Sequence, residues 1–291
     1  MEIIVAEPKG FCFGVKRSID MVEKAIKEGK KNIQIFGPIV HNPQQIALLE
    51  KKGVKMVNTI DEIQPGTVFI RAHGVSPDVF KKIKEKAGVV EVIDATCPFV
   101  KVEQEYARKL AEEGYQVIVI GEKNHPEALG AQGYAPGSII IGSVEEARGL
   151  KETPKIGAVV QTTLEPEAVD DIVAELYHKA KEVRVFNTIC QSTKMRQPAA
   201  RKVAQEADIM IVVGGKNSGN TRRLAEVCSR IKPTYHIETA AELKNEWFKG
   251  VNKVGISAGA STPEFIIDEV IEAIKQIDKK IGKNNENKRK K

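Results

Sequence analysis

One local pattern occurs three times in this chain and limits its folding more than any other feature. An apolar, β-branched run leads into a cysteine, a helical pattern follows, and a further strand ends in glycine. The runs are IIVAEPKGFC, VVEVIDATC and VRVFNTIC, closing on Cys12, Cys97 and Cys190. The helical patterns are VKRSIDMVEKAIKEG, VKVEQEYARKLAEEG and MRQPAARKVAQEA, and the strands are IQIFG, VIVIG and IMIVVGG. Cys12 to Cys97 spans 85 residues and Cys97 to Cys190 spans 93. The cysteine-to-glycine spacing is tighter: 25 residues to Gly37, 24 to Gly121 and 24 to Gly214.

Each copy continues with a polar loop and another helix: PIVHNPQQIALL, EKNHPEALGAQ and KNSGNTRRLAEV. His41, His125 and Ser218 each fall four residues after the glycine. A further strand then reaches a second polar turn ahead of a Pro-acid helix start: RAHGVSPDVF, QTTLEPEAV and SAGASTPEFI. His73 and Thr162 lie four residues before the proline. Gly259 holds that place in the third copy, with Ser261 two residues later. Strand and helix periods that alternate in this way predict parallel βαβ units. Such units carry their binding loops at the carboxyl ends of the strands. The fold class expected is therefore α/β, with three domains related by a pseudo-threefold axis and one cysteine from each facing a central cavity. The boundaries expected are 1–96, including the N-terminal strand, 97–189, 190–280, and a tail at 281–291.

Charge follows a different division. The formal net charge is +6, and the segment 279–291 (KKIGKNNENKRKK) alone holds seven Lys/Arg and one Glu. The rest of the chain is balanced. A tail of that composition, with no apolar face after Ile281, predicts disorder. No aromatic residues are interleaved with its charges, so nucleic acid is not expected as a partner. No apolar run approaches the ~20 residues of a membrane span. The start, MEIIVAEPKG, shows no basic stretch leading into an apolar stretch and a cleavage site, and reads as the first strand of a cytoplasmic protein.

A reducing compartment leaves packing, metal binding or redox chemistry for the four cysteines. Cys228 shares a helical stripe with Leu224, Val227 and Ile231, which places it in a core. Cys12, Cys97 and Cys190 lie on no such stripe. Structural zinc sites usually draw ligands from short Cys-x2–4-Cys pairs, and none occurs here. Isolated cysteines from three copies suit a larger iron–sulfur cluster, with zinc or a chance recurrence as the alternatives. A four-iron cluster normally has four thiolates, so three would leave one iron open.

With these residues in view, the chain resembles the 4-hydroxy-3-methylbut-2-enyl diphosphate reductase family. The motifs that carry the resemblance are GFCFGVKRSI, GPIVHNPQ, RAHGVSP, DATCPFV, HPE, QTTL, GGKNSGNTRRL and AGAST, spanning residues 10 to about 262. The resemblance implies a trefoil of three α/β domains around a central [4Fe-4S] cluster. It implies that Cys12, Cys97 and Cys190 hold the cluster, whose open apical iron engages substrate. The implied reaction removes an allylic hydroxyl with two electrons and two protons, releases water, and gives isopentenyl and dimethylallyl diphosphate. Reduced ferredoxin or flavodoxin is the implied electron donor, and a monomer is expected. One position departs from the family pattern. Where members often carry Ser-Ser-Asn, this chain has Ser218-Gly219-Asn220, so a hydroxyl contact is not carried over to Gly219, whose backbone N–H remains.

The chain has no GxxxxGK[ST] phosphate loop. It offers polar turns that open helices, and helix N-termini favour anions. The expected substrate-binding residues are His41, His73, His125, Thr162, Ser218, Asn220 and Ser261. Ser218, Asn220 and Ser261 also read as N-caps and Thr162 as a turn hydroxyl. Three of the five histidines nonetheless fall at equivalent turns. Glu127 suits the first turn of a helix by its charge alone. Loss of hydroxide also needs an acid, and the resemblance gives Glu127 that role. The rival readings are a zinc-stabilised nucleotide- or nucleic-acid-binding protein and a metal-dependent hydrolase.

Overall fold

The computed structural model describes residues 1–86 and 91–289. The chain runs through β1 (Glu2–Val5), α1 (Phe13–Lys27), β2 (Ile33–Phe36), α2 (Pro43–Lys51), β3 (Lys55–Val57), β4 (Thr67–Ile70), α3 (Pro77–Lys86) and β5 (Val92–Asp94). It continues through α4 (Pro98–Glu112), β6 (Gln116–Ile120), α5 (Pro126–Tyr134), β7 (Ile139–Ile141), α6 (Val144–Arg148), β8 (Thr153–Val160), α7 (Pro166–Tyr177) and β9 (Ala180–Phe186). The last part holds α8 (Gln191–Glu206), β10 (Ile209–Val213), α9 (Gly219–Ser229), β11 (Thr234–Ile237), β12 (Lys253–Ala258) and α10 (Glu264–Arg289). Proline opens α2, α3, α4, α5 and α7, where its fixed φ suits the first turn and its missing N–H leaves nothing unpaired.

The strands form three parallel four-stranded sheets, ordered β3-β2-β4-β5, β7-β6-β8-β9 and β11-β10-β12-β1. These are one order repeated: the copy's second strand, its first, its third, and then the strand that leads into a cysteine. The fold class is thus α/β built from βαβ units. The chain divides into two compact units. One holds Met1–Cys12, His41–Pro43 and Lys194–Lys291, and the other holds Phe13–Val40 and Gln44–Thr193.

In the first unit, alternation along the strands sends side chains to two apolar layers. Ile211, Val213 and Ile256 pack with Ile267, Val270 and Ile274 of α10. Met210 and Val212 pack with Ala204 of α8 and with Leu224 and Cys228 of α9. A parallel sheet covered on both faces reads as a nearly continuous apolar run, and IMIVV at β10 is one. Cys228 is fully buried, as its stripe predicts, and burial pushes its thiol up to about 12.

The second unit repeats the device. Ile118, Ile120 and Val160 meet Val169, Ile172 and Leu176 of α7. Val117, Val119 and Val159 meet Ala107 and Leu110 of α4 and Ala128 and Ala131 of α5. Its other sheet buries Val68 and Ile70 against Ile83 of α3.

Two expectations are corrected. The N-terminal strand does not complete the sheet of the first repeat. β1 pairs with β12, Glu2 opposite Lys253 and Val5 opposite Ile256. Each sheet is closed by the strand that introduces the next cysteine, and the third sheet takes that strand from the chain's beginning. The basic tail is also not disordered from residue 281: α10 runs on to Arg289. Ile277 and Ile281 still pack against the sheet, and no proline interrupts the segment that follows. Residues 290–291 of the expected tail lie outside the described residues.

Candidate functional site

All three cysteines of the repeat stand immediately before a helix: Cys12 before α1, Cys97 before α4 and Cys190 before α8. Unpaired backbone N–H groups at such places favour negative charge. The backbone of each cysteine is anchored in the same way, its N–H donating to a carbonyl in the second polar turn. The pairs are Cys12 to Ala260 at 3.0 Å, Cys97 to Ala72 at 2.9 Å and Cys190 to Thr162 at 3.0 Å. All three are half-buried.

Those anchors fix the register of the second turns. Ala72, Thr162 and Ala260 are equivalent, so His73 matches Thr163 and Ser261. Counting back from the proline had paired His73 with Thr162 and with Gly259. The helix starts lie at different distances from the strands, which is why the proline misleads. Each turn closes with the same bond, Gly74 N–H to Arg71, Leu164 to Gln161 and Thr262 to Gly259.

In the second unit, His125 is the N-cap of α5, and its Nδ1 accepts from the Glu127 N–H at 3.2 Å. A neutral imidazole accepting at Nδ1 carries its proton on Nε2, so His125 is set to donate from that side. The His73 ring meets it edge-on, with centroids 5.6 Å apart. Glu127 is buried, and its Oε1 accepts from the Thr162 N–H at 2.5 Å. The Thr162 carbonyl accepts from the Cys190 N–H and, at 2.9 Å, from the Thr193 hydroxyl. One short backbone segment therefore ties Glu127 to the anchor of Cys190. His73, His125, Glu127 and Thr162 lie in this unit with Cys97 and Cys190.

In the first unit, Ser218 caps α9, its hydroxyl accepting from the Thr221 N–H at 3.3 Å. Its own O–H is left to donate. Gly219 is the first residue of α9, so its N–H has no partner within the helix. The Asn220 amide nitrogen is buried without a hydrogen bond among the described residues. Buried donors normally have partners, so this one marks a place for an acceptor. A Cβ on Gly259 would fall 2.0 Å from the Thr221 hydroxyl, and one on Gly215 would fall 2.2 Å from the His41 carbonyl. Glycine at these places lets the turns carrying Ser261, Ser218 and His41 close on one another. Asn220 and Cys12 lie in the same unit.

Reading the sequence missed three residues. Arg196 is buried and donates to the carbonyls of Pro8 (2.8 Å), Gly10 (2.8 Å) and Ala258 (3.2 Å), clamping the loop that leads to Cys12. Gln161 joins the two turns of its copy, accepting from the Glu122 N–H at 2.8 Å and donating to the Thr163 hydroxyl at 3.2 Å. Glu103 is fully buried on α4. Its signal was readable: Val100, Glu103, Gln104, Ala107 and Leu110 form one helical stripe, and a carboxyl on such a stripe has no ordinary packing role.

Residues 3–275 match the family described as LytB protein. The chain is 50% identical over 283 residues to the 4-hydroxy-3-methylbut-2-enyl diphosphate reductase of Geobacter sulfurreducens, covering 96% of this chain and 99% of that one. It is 45% identical over 283 residues to the reductase of the same name from Aquifex aeolicus, covering 95% and 97%. Among solved structures, that of the E-1-hydroxy-2-methyl-but-2-enyl-4-diphosphate reductase from Plasmodium falciparum aligns with a TM-score of 0.89 at 33% identity, covering 93% of this chain and 87% of that one. A structure described as (E)-4-hydroxy-3-methyl-but-2-enyl diphosphate reductase, the terminal enzyme of the non-mevalonate pathway, aligns with a TM-score of 0.67 at 45% identity, covering 95% and 100%.

Proposed function

The chain belongs to the LytB protein family, and from that premise we propose how its own residues divide the work of the family's reaction. Its activity is that of a 4-hydroxy-3-methylbut-2-enyl diphosphate reductase, an oxidoreductase of isoprenoid biosynthesis. The zinc-binding and hydrolase readings are not favoured. No helix among the described residues is long and apolar enough to cross a membrane.

The family's enzymes are iron–sulfur enzymes, and the donor set here fits such a group. Three half-buried thiols carry equivalent backbone anchors, and Gly14 leaves room beside one of them, since a Cβ there would fall 2.4 Å from the Cys97 sulfur. We assign Cys12, Cys97 and Cys190 as the ligands of a [4Fe-4S] cluster with one open iron. When bound, that group supplies electrons and a Lewis-acidic position for the allylic oxygen. Reduced ferredoxin or flavodoxin is the donor we assign, in the cytoplasm.

The remaining work falls to the polar turns. The diphosphate is bound by neutral donors at helix starts: the Ser218 hydroxyl, the Gly219 N–H, the Asn220 amide and Ser261, with His41, His73 and His125 able to add charge when protonated. Thr162 orients the acid through its backbone N–H. Glu127 supplies a proton to the departing oxygen, so that water leaves rather than hydroxide. The observation that carries this reading is the buried Glu127 carboxyl, fixed by the Thr162 N–H beside a histidine whose donor face is set.

The test is anaerobic iron and sulfide analysis combined with turnover of 4-hydroxy-3-methylbut-2-enyl diphosphate by wild type and Glu127→Gln. We expect iron–sulfur content to be unchanged, substrate affinity to be kept, and turnover to fall by about 10²–10⁴, the usual worth of a positioned acid. Near-normal turnover would reject the acid role.

A further inference from the structure

Each sheet has one place where the path of the chain reverses, between the copy's first and third strands. Ligands of open α/β sheets gather outside the carboxyl ends of such strands. In the sheet β3-β2-β4-β5 that place lies between β2 and β4, where Phe36 stands opposite Ile70. The residues just beyond are Gly37 and Arg71. Their counterparts are Gly121 and Gln161 past β6 and β8, and Gly214 and Gly259 past β10 and β12. The three glycines match because each N–H donates to the end of the neighbouring strand, at the carbonyls of Val57 (2.7 Å), Ile141 (2.8 Å) and Ile237 (2.9 Å).

Two of these places are filled by neutral groups that have partners. Gln161 lies against Gly121, where a Cβ would fall 2.9 Å from its Oε1, and that oxygen accepts from the N–H of Glu122, the next residue. At Gly214 the nearest group is the Thr262 hydroxyl, which donates to the Val213 carbonyl at 3.0 Å. The first copy differs. Arg71 lies against Gly37, where a Cβ would fall 2.8 Å from its Cζ. The residue after Gly37 is Pro38, which has no N–H, so the bridge that Gln161 makes has no counterpart here. Arg71 is half-buried, and among the described residues no carboxylate pairs with it and no acceptor meets its buried Nε. Burial pushes it below the ordinary guanidinium range, yet a guanidinium stays charged in proteins. A cation taken out of water needs a counter-charge, and none of the described residues supplies one.

We propose that Arg71 is an anion-binding residue whose guanidinium is the fixed positive charge that receives the substrate's diphosphate. This rests on the reading given above, in which the polar turns bind that diphosphate, and adds to it the one donor whose charge does not depend on pH. Arg71 opens the turn that carries His73, and both belong to the second unit. The planar fork of a guanidinium matches the oxygens of a phosphate, whereas an imidazole adds charge only when protonated.

Calorimetric binding of inorganic diphosphate to the anaerobic holoenzyme tests this. Arg71→Met should weaken binding about 10–100-fold, the usual worth of a hydrogen bond to a charged group. Arg71→Lys keeps the charge without the fork and should recover part of the loss. KM for the substrate should rise in step, by more than kcat falls, because ground-state binding is what is lost. Iron and sulfide per chain should stay at the wild-type level. A residue that only packs on Gly37 would move the unfolding midpoint and leave diphosphate affinity alone. Equal affinity in wild type and Arg71→Met overturns the proposal, as does a loss that Arg71→Lys does not recover at all. Should Arg71→Met fail to fold, wild type decides. Diphosphate should protect Arg71 from an arginine-selective dicarbonyl reagent, read by peptide mass spectrometry, and equal labelling with and without diphosphate overturns the proposal. Wild type that binds no inorganic diphosphate would overturn the diphosphate reading itself, whereas normal binding by wild type with no loss in Arg71→Met overturns the role of Arg71 alone.

Discussion

Gly14→Ala places one methyl group against a thiol assigned as a metal ligand. Gly14 is the second residue of α1, and an ideal Cβ there lies 2.4 Å from the Cys97 sulfur and 3.2 Å from its Cβ. Ordinary contact begins near 3.4 Å, so something must move by about 1 Å. The helix is poorly placed to yield. The Ser18 hydroxyl bridges the Gly14 and Ala95 carbonyls at 2.9 Å each, pinning α1 to the segment that enters Cys97. The sulfur must therefore swing. Overpacking costs about 1–3 kcal/mol, and Ala is favoured over Gly in a helix by about 0.5–1 kcal/mol. The net loss of stability is then roughly 0–2.5 kcal/mol by these two principles, a modest change. The effect on the ligand is larger, because metal sites tolerate deviations of only about 0.2 Å. Iron and sulfide per chain after anaerobic reconstitution should fall well below wild type, while the urea midpoint moves little. Gly282→Ala, where a Cβ meets nothing within 4 Å, is the control. Full iron content with an unaltered visible spectrum in Gly14→Ala would refute the assignment of Cys97 or the rigidity of α1.

Serine in place of Cys12, Cys97 or Cys190 should strip or cripple the iron–sulfur spectrum, whereas Cys228→Ser should keep the spectrum and lose about 1–3 kcal/mol for a hydroxyl in an apolar layer; an unchanged spectrum in Cys97→Ser would sink the three-ligand model. Arg196→Met removes three hydrogen bonds to the Pro8, Gly10 and Ala258 carbonyls and should cost at least about 2 kcal/mol in denaturant unfolding. An unchanged midpoint would show that the clamp contributes nothing. Because the folded protein raises the Glu103 pKa, it binds more protons than the unfolded chain above the ordinary carboxylate range. Stability should therefore fall as pH rises from that range through the raised value, and Glu103→Gln should flatten this part of the profile. A profile identical to wild type would show that Glu103 titrates normally.

The repeat was legible because local patterns carry it. Strand and helix periods alternate around each cysteine, prolines mark helix starts, and IMIVV and VIVIG read as buried parallel strands. The cysteines' places before helices could be read in the same way, as could the core position of Cys228. Long-range pairing could not be read. Nothing within MEIIVAEP says that Glu2 lies opposite Lys253, because every strand of a parallel sheet is apolar and fits more than one neighbour. The register of the second turns failed for a related reason. Proline marks where a helix begins, whereas the cysteine anchors mark where a strand ends, and the loops between them differ in length. Glu103 was legible in its stripe, because an acid among Val100, Ala107 and Leu110 on a buried helix face is out of place unless its charge is met. Arg196 left no comparable trace, since its partners are backbone carbonyls that any residues could supply.

The closure of the third sheet by β1 carries a consequence for biosynthesis. β1 pairs with a strand made about 250 residues later, so this sheet cannot be completed until β12 has been synthesised. The sheets of β2–β5 and β6–β9 are built from contiguous segments and can form as they emerge. Cys12 is held by the carbonyl of Ala260, which is synthesised some 250 residues later. The backbone anchors of Cys97 and Cys190 can thus form well before the anchor of Cys12. The order of synthesis therefore sets the order in which the three cysteine anchors can form.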